Sequence, residues 1–272
     1  MKHRPYYQQL LVLPDRDGFT FTELLVIVTL GALLGAVVPP SLNTASDTMK
    51  AAVCVGNMHE WGLAVNMYSE DWNGFFPYEA NFNTPIDSGP SPPFPGNLKA
   101  WYNLLPGYLN QPSLVDLYYA GKPPRAGMKS IWTCPSATNT TVSPTLSTPY
   151  FMYAFSARMD PNNRSPCPAG TTDVSGSGDC RFRRSQMTSP ANTIVFCEAD
   201  GAGGAVGAVT TVARHFGGGH FVLGDGHVEL IKYDDYCRSC PTNLCPDTDS
   251  TAICDWKGGI KYHWFPFRNA PT

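Results

Sequence analysis

The chain has 272 residues, of which 43% are hydrophobic and only 15% charged, and its net charge is −3. A charged content below the roughly 25% usual for soluble domains, with no basic block anywhere, excludes a nucleic-acid binder, because neutralising phosphates needs clustered Lys and Arg. The length allows one good-sized domain or two small ones plus a terminal appendage, and the 25 Gly and 25 Pro predict a loop-rich body rather than a helical bundle.

The first element is an apolar helix within "DRDGFTFTELLVIVTLGALLGAVVPP", residues 15–40. From Leu24 to Ser46 there is no Lys, Arg, Asp or Glu. Leu24 to Val38 spans about 23 Å at ~1.5 Å per residue, and adding Phe19–Thr22 brings it near the ~30 Å of bilayer hydrocarbon. A secretory signal peptide fits poorly. Lys2 and Arg4 make a basic start, but Asp15, Arg16 and Asp17 stand before the apolar run, and the Leu10–Leu13 patch is too short to be its core. A plain transmembrane anchor or a buried core helix remains open, yet neither a signal peptide nor a plain anchor explains Glu23. A carboxylate drawn towards hydrocarbon costs on the order of 3 kcal/mol and calls for a partner. Cleavage after Gly18 supplies one, because the new ammonium on Phe19 then lies one helical turn from Glu23, within a chain or between packed copies.

Gly18-Phe19-Thr20-Phe21-Thr22-Glu23-Leu24-Leu25, followed by an apolar helix, resembles the class III leader of type IV prepilins and type II secretion pseudopilins. The resemblance implies that a membrane peptidase cuts after Gly18 and methylates Phe19, and that Glu23 sets subunit register in a filament. Pro39-Pro40 sits where pilin helices commonly carry a loosening proline. Asp17 stands where the family usually has Lys or Arg, and Thr22 where it usually has an aliphatic residue. The implied organisation is a leader over 1–18, a transmembrane helix over 19–40, its soluble continuation over 41–75 and an exported head over 76–272. The chain then crosses the bacterial inner membrane once, with its N-terminus cytoplasmic and its head periplasmic. Lys2, Arg4 and Arg16 agree with the positive-inside tendency.

From Ser41 to about Trp72 the apolar positions Trp61, Ala64/Val65, Tyr68 and Trp72 recur at helical steps, which predicts a stripe facing a core. The Asn-Gly of "DWNGFFP" ends that helix. Residues 78–130 read as loops and short helices. "SIWTCPSA" (130–137) predicts a short strand running into a Cys-Pro turn, and "TIVFCEAD" (193–200) a strand by its β-branched and aromatic run. "GHFVLGDGHVELI" (219–231) predicts a hairpin, with Phe221–Leu223, a turn at Gly224-Asp225-Gly226, and Val228–Ile231. The fold class is therefore α+β, a long N-terminal helix packed on a small antiparallel sheet.

"RHFGGGHFVLGDGHVE" gathers His215, His220, Asp225, His227 and Glu229. Histidine and carboxylate are the material of metal and acid–base sites, but no zinc-enzyme spacing is present and Gly217–Gly219 oppose a helix that could hold one. Alternation along the hairpin puts His227 and Glu229 on one face. Two readings stand. In one, Asp225-Gly226 makes the turn and His215 hydrogen-bonds a nearby loop; in the other, His215, His220, Asp225 and His227 hold a metal, Ca²⁺ or Zn²⁺.

His215, nine residues, then Asp225-Gly226 is similar to the H-x9-DG segment near the C-terminus of many proteins with prepilin leaders. "MYSEDWNGFFP", "WTCPSA" and "SPANTIVFCEAD" are similar to other stretches of that group. The resemblance points towards the major, G-type pseudopilin, a structural and non-enzymatic protein with no resident cofactor beyond Ca²⁺ at no assignable residues. The partners it implies are other pseudopilins, the prepilin peptidase and N-methyltransferase, and the inner-membrane secretion platform. Type IV pilus or DNA-uptake pilins share the same leader. A membrane-anchored metal-dependent enzyme or ligand-binding protein is the alternative from another class.

Nine cysteines suit a disulfide-permissive compartment. Cys167 and Cys180 enclose a short Gly/Ser/Thr-rich loop and make the most economical pair. Cys237, Cys240, Cys245 and Cys254 can pair in three ways or hold zinc. A Cys54–Cys134 bridge would tie the helix to the head.

Overall fold

The computed structural model describes residues 18–77, 100–137, 151–156, 159, 183–199, 212–236 and 261–264, with the backbone alone of 172–173, 180–181 and 205–206; the side chains of 34–43 lie outside this set. The described residues form an α+β fold. Helix α1 covers Phe21–Asp71. The chain divides into two compact units, Met1–Ser46 and Asp47–Thr272.

In the first unit, α1 starts where local chemistry tells it to. Thr20 and Glu23 form a reciprocal cap: the Thr20 amide donates to Glu23 Oε2 at 2.8 Å, and the Glu23 amide donates to Thr20 Oγ1 at 3.3 Å. This satisfies two amides that have no partner inside the helix. Beyond the cap, Phe21, Leu24, Leu25, Val26, Ile27, Val28, Leu30 and Leu33 are all exposed, on every side of the helix. Among the described residues no helix is long and apolar enough to cross a membrane.

In the second unit, the later turns of α1 bury Cys54, Met58, Trp61, Ala64, Val65 and Tyr68, steps of three and four that keep them on one face. Trp72 departs from the expected stripe and is 51% exposed. It lies just past the last helical residue, and its ring stacks on Tyr68 instead, at 5.6 Å between centroids. Asn73 and Gly74 both take positive φ and turn the chain out of the helix. Short helices α2 (Trp101–Tyr108) and α3 (Leu114–Tyr119) follow, the latter opened by a Ser113–Asp116 capping box.

The sheet has four antiparallel strands in the order β1 (Tyr153–Ser156), β4 (Ile194–Glu198), β6 (Gly218–Leu223) and β7 (Val228–Lys232). β5 (Ala205–Val206) adds to β1 in parallel, while β2 (Thr172–Asp173) and β3 (Cys180–Arg181) pair separately. Alternation divides the sheet into two faces. Phe155, Phe196 and Val222 join the α1 stripe, α2 and α3 in one core; Ala154, Cys197, Phe221, Leu223 and Ile231 join Tyr236, Tyr262 and Trp264 in the other. Trp61 is the hub of the first core, edge-on to Trp101 and Trp132, with its indole N–H donating to the Ile131 carbonyl at 3.0 Å. Each large side chain buried this way contributes about 1.5–3 kcal/mol.

Residues 130–137 hold the expected Cys-Pro turn at Pro135-Ser136, but a turn at Ile131-Trp132 stands where the strand was expected. Their backbone groups are spent locally and on α1: Thr133 N–H bonds the Ser130 carbonyl, and the Asn57 amide donates to the carbonyls of both Ser130 and Thr133. Carbonyls committed in this way are not available to a ladder. β4 and the β6–β7 hairpin fall where expected, with β6 starting three residues earlier.

Candidate functional site

Two groups of His and acidic side chains form around the β6–β7 hairpin. The deep group is built by three devices. β4 and β6 are antiparallel, with Phe196 opposite Val222 and Cys197 opposite Phe221. One further step sets Glu198 beside His220 on the α1 face of the sheet. The tight turn His215–Gly218, with Phe216 at φ 52° and Gly217 at φ 76°, folds the preceding chain back along β6. Two successive positive φ values are the geometry of a type I′ turn, which explains the glycine at 217. The turn lays the His215 ring against His220, 4.7 Å between centroids.

Glu198 is the residue that binds this group together, and it is completely buried. Its Oε1 lies 3.0 Å from His215 Nε2 and 3.3 Å from His220 Nδ1, and the His220 amide donates to Oε2 at 3.4 Å. Burial works to raise this carboxyl, but the hydrogen bonds and charges of the two histidines outweigh it and hold the group below the ordinary carboxylate range. Sulfur completes the cluster. Cys54 of α1 and Cys134 form a disulfide, and Cys134 Sγ is 3.4 Å from His215 Nε2. Cys54, Cys134, Glu198 and His215 are all buried, with ligand-type atoms within 4.8 Å of one another.

The shallow group lies at the hairpin tip. His227 Nδ1 meets Asp225 Oδ1 at 2.6 Å, and its Nε2 is 3.6 Å from Glu229. The His227 side chain is 44% exposed. Burial would raise the Asp225 carboxyl, yet hydrogen bonds from the His227 amide and ring bring it below its usual value. Glu229 is lowered in the same way, its partial burial outweighed by hydrogen bonds from Tyr262 and Lys261.

The expected set of His215, His220, Asp225 and His227 is therefore not one site. His215 and His220 share Glu198 in the core, whereas Asp225 and His227 pair with each other at the surface. Sequence proximity missed Glu198, Cys54 and Cys134 as members of the deep group; the strand register and the disulfide bring them in. The H-x9-DG spacing acquires a physical meaning as well. Its histidine anchors one end of the β6 segment on Glu198, and its Asp-Gly turn seats the other end on α1, where Gly226, at φ 98°, faces Asn66 with no room for a Cβ. Gly62 lets α1 approach Val222 and the Gly226 carbonyl.

Gly18 and Phe19 are exposed, Phe19 by 78%. The Glu23 carboxylate turns back towards them through its bonds to Thr20. The Thr-x-x-Glu cap accounts locally for an acid at this position. The pairing of Cys167 with Cys180 and the four tail cysteines fall outside the described side chains. Comparisons with protein families, with curated proteins and with solved structures find no match.

Proposed function

We propose that this chain is a pilin-like structural subunit, a pseudopilin. A membrane peptidase cuts it after Gly18 and methylates Phe19, and it assembles through its apolar helix into the pseudopilus of a type II secretion system. The observation that carries this reading is the start of α1. A helix whose large apolar side chains are exposed on every side has to be covered by lipid or by other helices. Its lone acid, Glu23, bonds the amide of Thr20, the residue next to the one that cleavage would make the N-terminus. In the assembled filament Glu23 answers the Phe19 amine of a neighbouring copy, which removes the cost of a carboxylate in apolar surroundings. The Cys54–Cys134 bridge suits an exported head. The working partners are copies of itself, other pseudopilins, the peptidase and the inner-membrane platform.

The test is the intact mass and N-terminal sequence of the protein recovered from membranes of a host with a prepilin peptidase. A chain beginning at N-methylated Phe19 is the expected result. A chain beginning at Met1 overturns the reading and leaves a simple anchored protein. Deletion should then abolish secretion of exported proteins; loss of twitching or DNA uptake with secretion intact would assign the same helix to a type IV pilus.

A further inference from the structure

The deep cluster contains two sulfurs, an imidazole nitrogen and a carboxylate oxygen, a donor set that suits zinc. Bonds of ~2.3 Å to sulfur and ~2.0–2.2 Å to nitrogen and oxygen give tetrahedral edges of roughly 3.6 Å for S···N and 3.4 Å for N···O. The structure has Cys134 Sγ to His215 Nε2 at 3.4 Å and His215 Nε2 to Glu198 Oε1 at 3.0 Å. All four ligand atoms lie within 4.8 Å of one another, and the two sulfurs have to open to an edge of about 3.8 Å. The Cα atoms of Cys54 and Cys134 are already 5.4 Å apart.

The surroundings resemble the outer shell of a metal centre. Glu198 is fixed by the His220 ring and amide, and hydrogen-bonded outer partners are what orient ligating carboxylates. The loop carrying Cys134 is pinned to α1 by Asn57 and Trp61. The Arg214 side chain, next to His215 in sequence, donates to the carbonyls of Met152 and Ala199, which ties that segment to the residues flanking β1 and β4.

We propose that Cys54, Cys134, His215 and Glu198 hold one Zn²⁺ when the Cys54–Cys134 bridge is reduced, so that metal and disulfide are mutually exclusive states of one buried site. Reduction by a dithiol delivers two electrons and two protons to the sulfurs while the dithiol closes to its own disulfide. Zinc then displaces the two thiol protons and binds both thiolates, His215 Nε2 and a Glu198 oxygen. Because all four ligands are buried, the metal enters as the head folds. The proposal is independent of the filament reading and holds for the head whatever it assembles into.

The experiment refolds the full chain in detergent with dithiothreitol and ZnCl₂, removes loose metal and measures zinc per chain. Reduced thiols elsewhere in the chain can also take up zinc, so the decisive quantity is a difference. A Cys54→Ser/Cys134→Ser variant should retain one zinc fewer than the unchanged chain, and a chain whose Cys167, Cys180 and four tail cysteines are Ser should lose its single equivalent when refolded under oxidising conditions that form the bridge. Cobalt added in place of zinc gives a thiolate charge-transfer band. In a chain whose Cys167, Cys180 and four tail cysteines are Ser, that band should appear with tetrahedral visible absorption and should be lost or strongly altered in His215→Ala and Glu198→Gln. Equal zinc in the unchanged and double-serine chains overturns the proposal. So does a cobalt spectrum indifferent to His215 and Glu198.

Discussion

The two histidine–carboxylate groups beside the β6–β7 hairpin have the same chemistry and opposite surroundings. Glu198 with His215 and His220 sits in the core, where no water can replace a lost partner. Asp225 with His227 and Glu229 sits at the tip, where water can replace any of them. A buried charge left without its partner costs several kcal/mol, whereas an exposed pair contributes ~1 kcal/mol or less. Distance within a pair therefore says little about its importance: the exposed His227–Asp225 contact, at 2.6 Å, is shorter than either contact of Glu198.

The largest expected effect tests the deep group. Glu198→Ala leaves two buried imidazoles without their acceptor and should destabilise the head by about 3–5 kcal/mol, read from urea unfolding of the full chain in detergent. A loss below about 1 kcal/mol would erase the distinction between the groups. The next effect is a pH dependence. Glu198 has a folded pKa below its unfolded value of about 4.3, so its contribution is fully present above that value. It is lost as pH falls through the lower, folded pKa. The urea midpoint of the unchanged chain should drop as pH is lowered below about 4.3, and Glu198→Gln should flatten that drop. The groups facing this carboxyl are His215, His220 and, through longer-range charge, Tyr153 and Tyr236. Asp225 and Glu229 are lowered too and leave a small residual slope in the same window. The smallest effect belongs to the tip: His227→Ala should cost less than about 1 kcal/mol, and added salt should shrink that cost further. A cost matching that of Glu198→Ala would show that the tip is as tightly coupled as the core.

Much of the fold was legible along the chain because it rests on local rules. The helical stripe through Trp61 and Tyr68, the strand at Ile194–Glu198 and the Asp-Gly hairpin all follow from side-chain periodicity and turn chemistry. The exception at 130–137 is instructive. Trp132 and Thr133 favour a strand, but Asn57 and Trp61, seventy-odd residues earlier, take the carbonyls a ladder would need. Trp72 left its stripe because the helix stops one residue before it.

By itself the sequence determined where α1 begins, through the Thr20–Glu23 cap, and that its first turns are apolar on all sides, because both depend on residues within a few positions of one another. Only the tertiary structure decided the deep site. Cys54, Cys134, Glu198 and His215 are separated by up to 161 positions along the chain, and no periodicity links them. What unites them is a strand register, a two-residue turn and the packing of α1 against the sheet, which together bring one atom from each within 4.8 Å. Tertiary contact likewise chose which of two similar histidine clusters is dry. Burial is a property of everything packed around a residue, and a short stretch of sequence does not carry it.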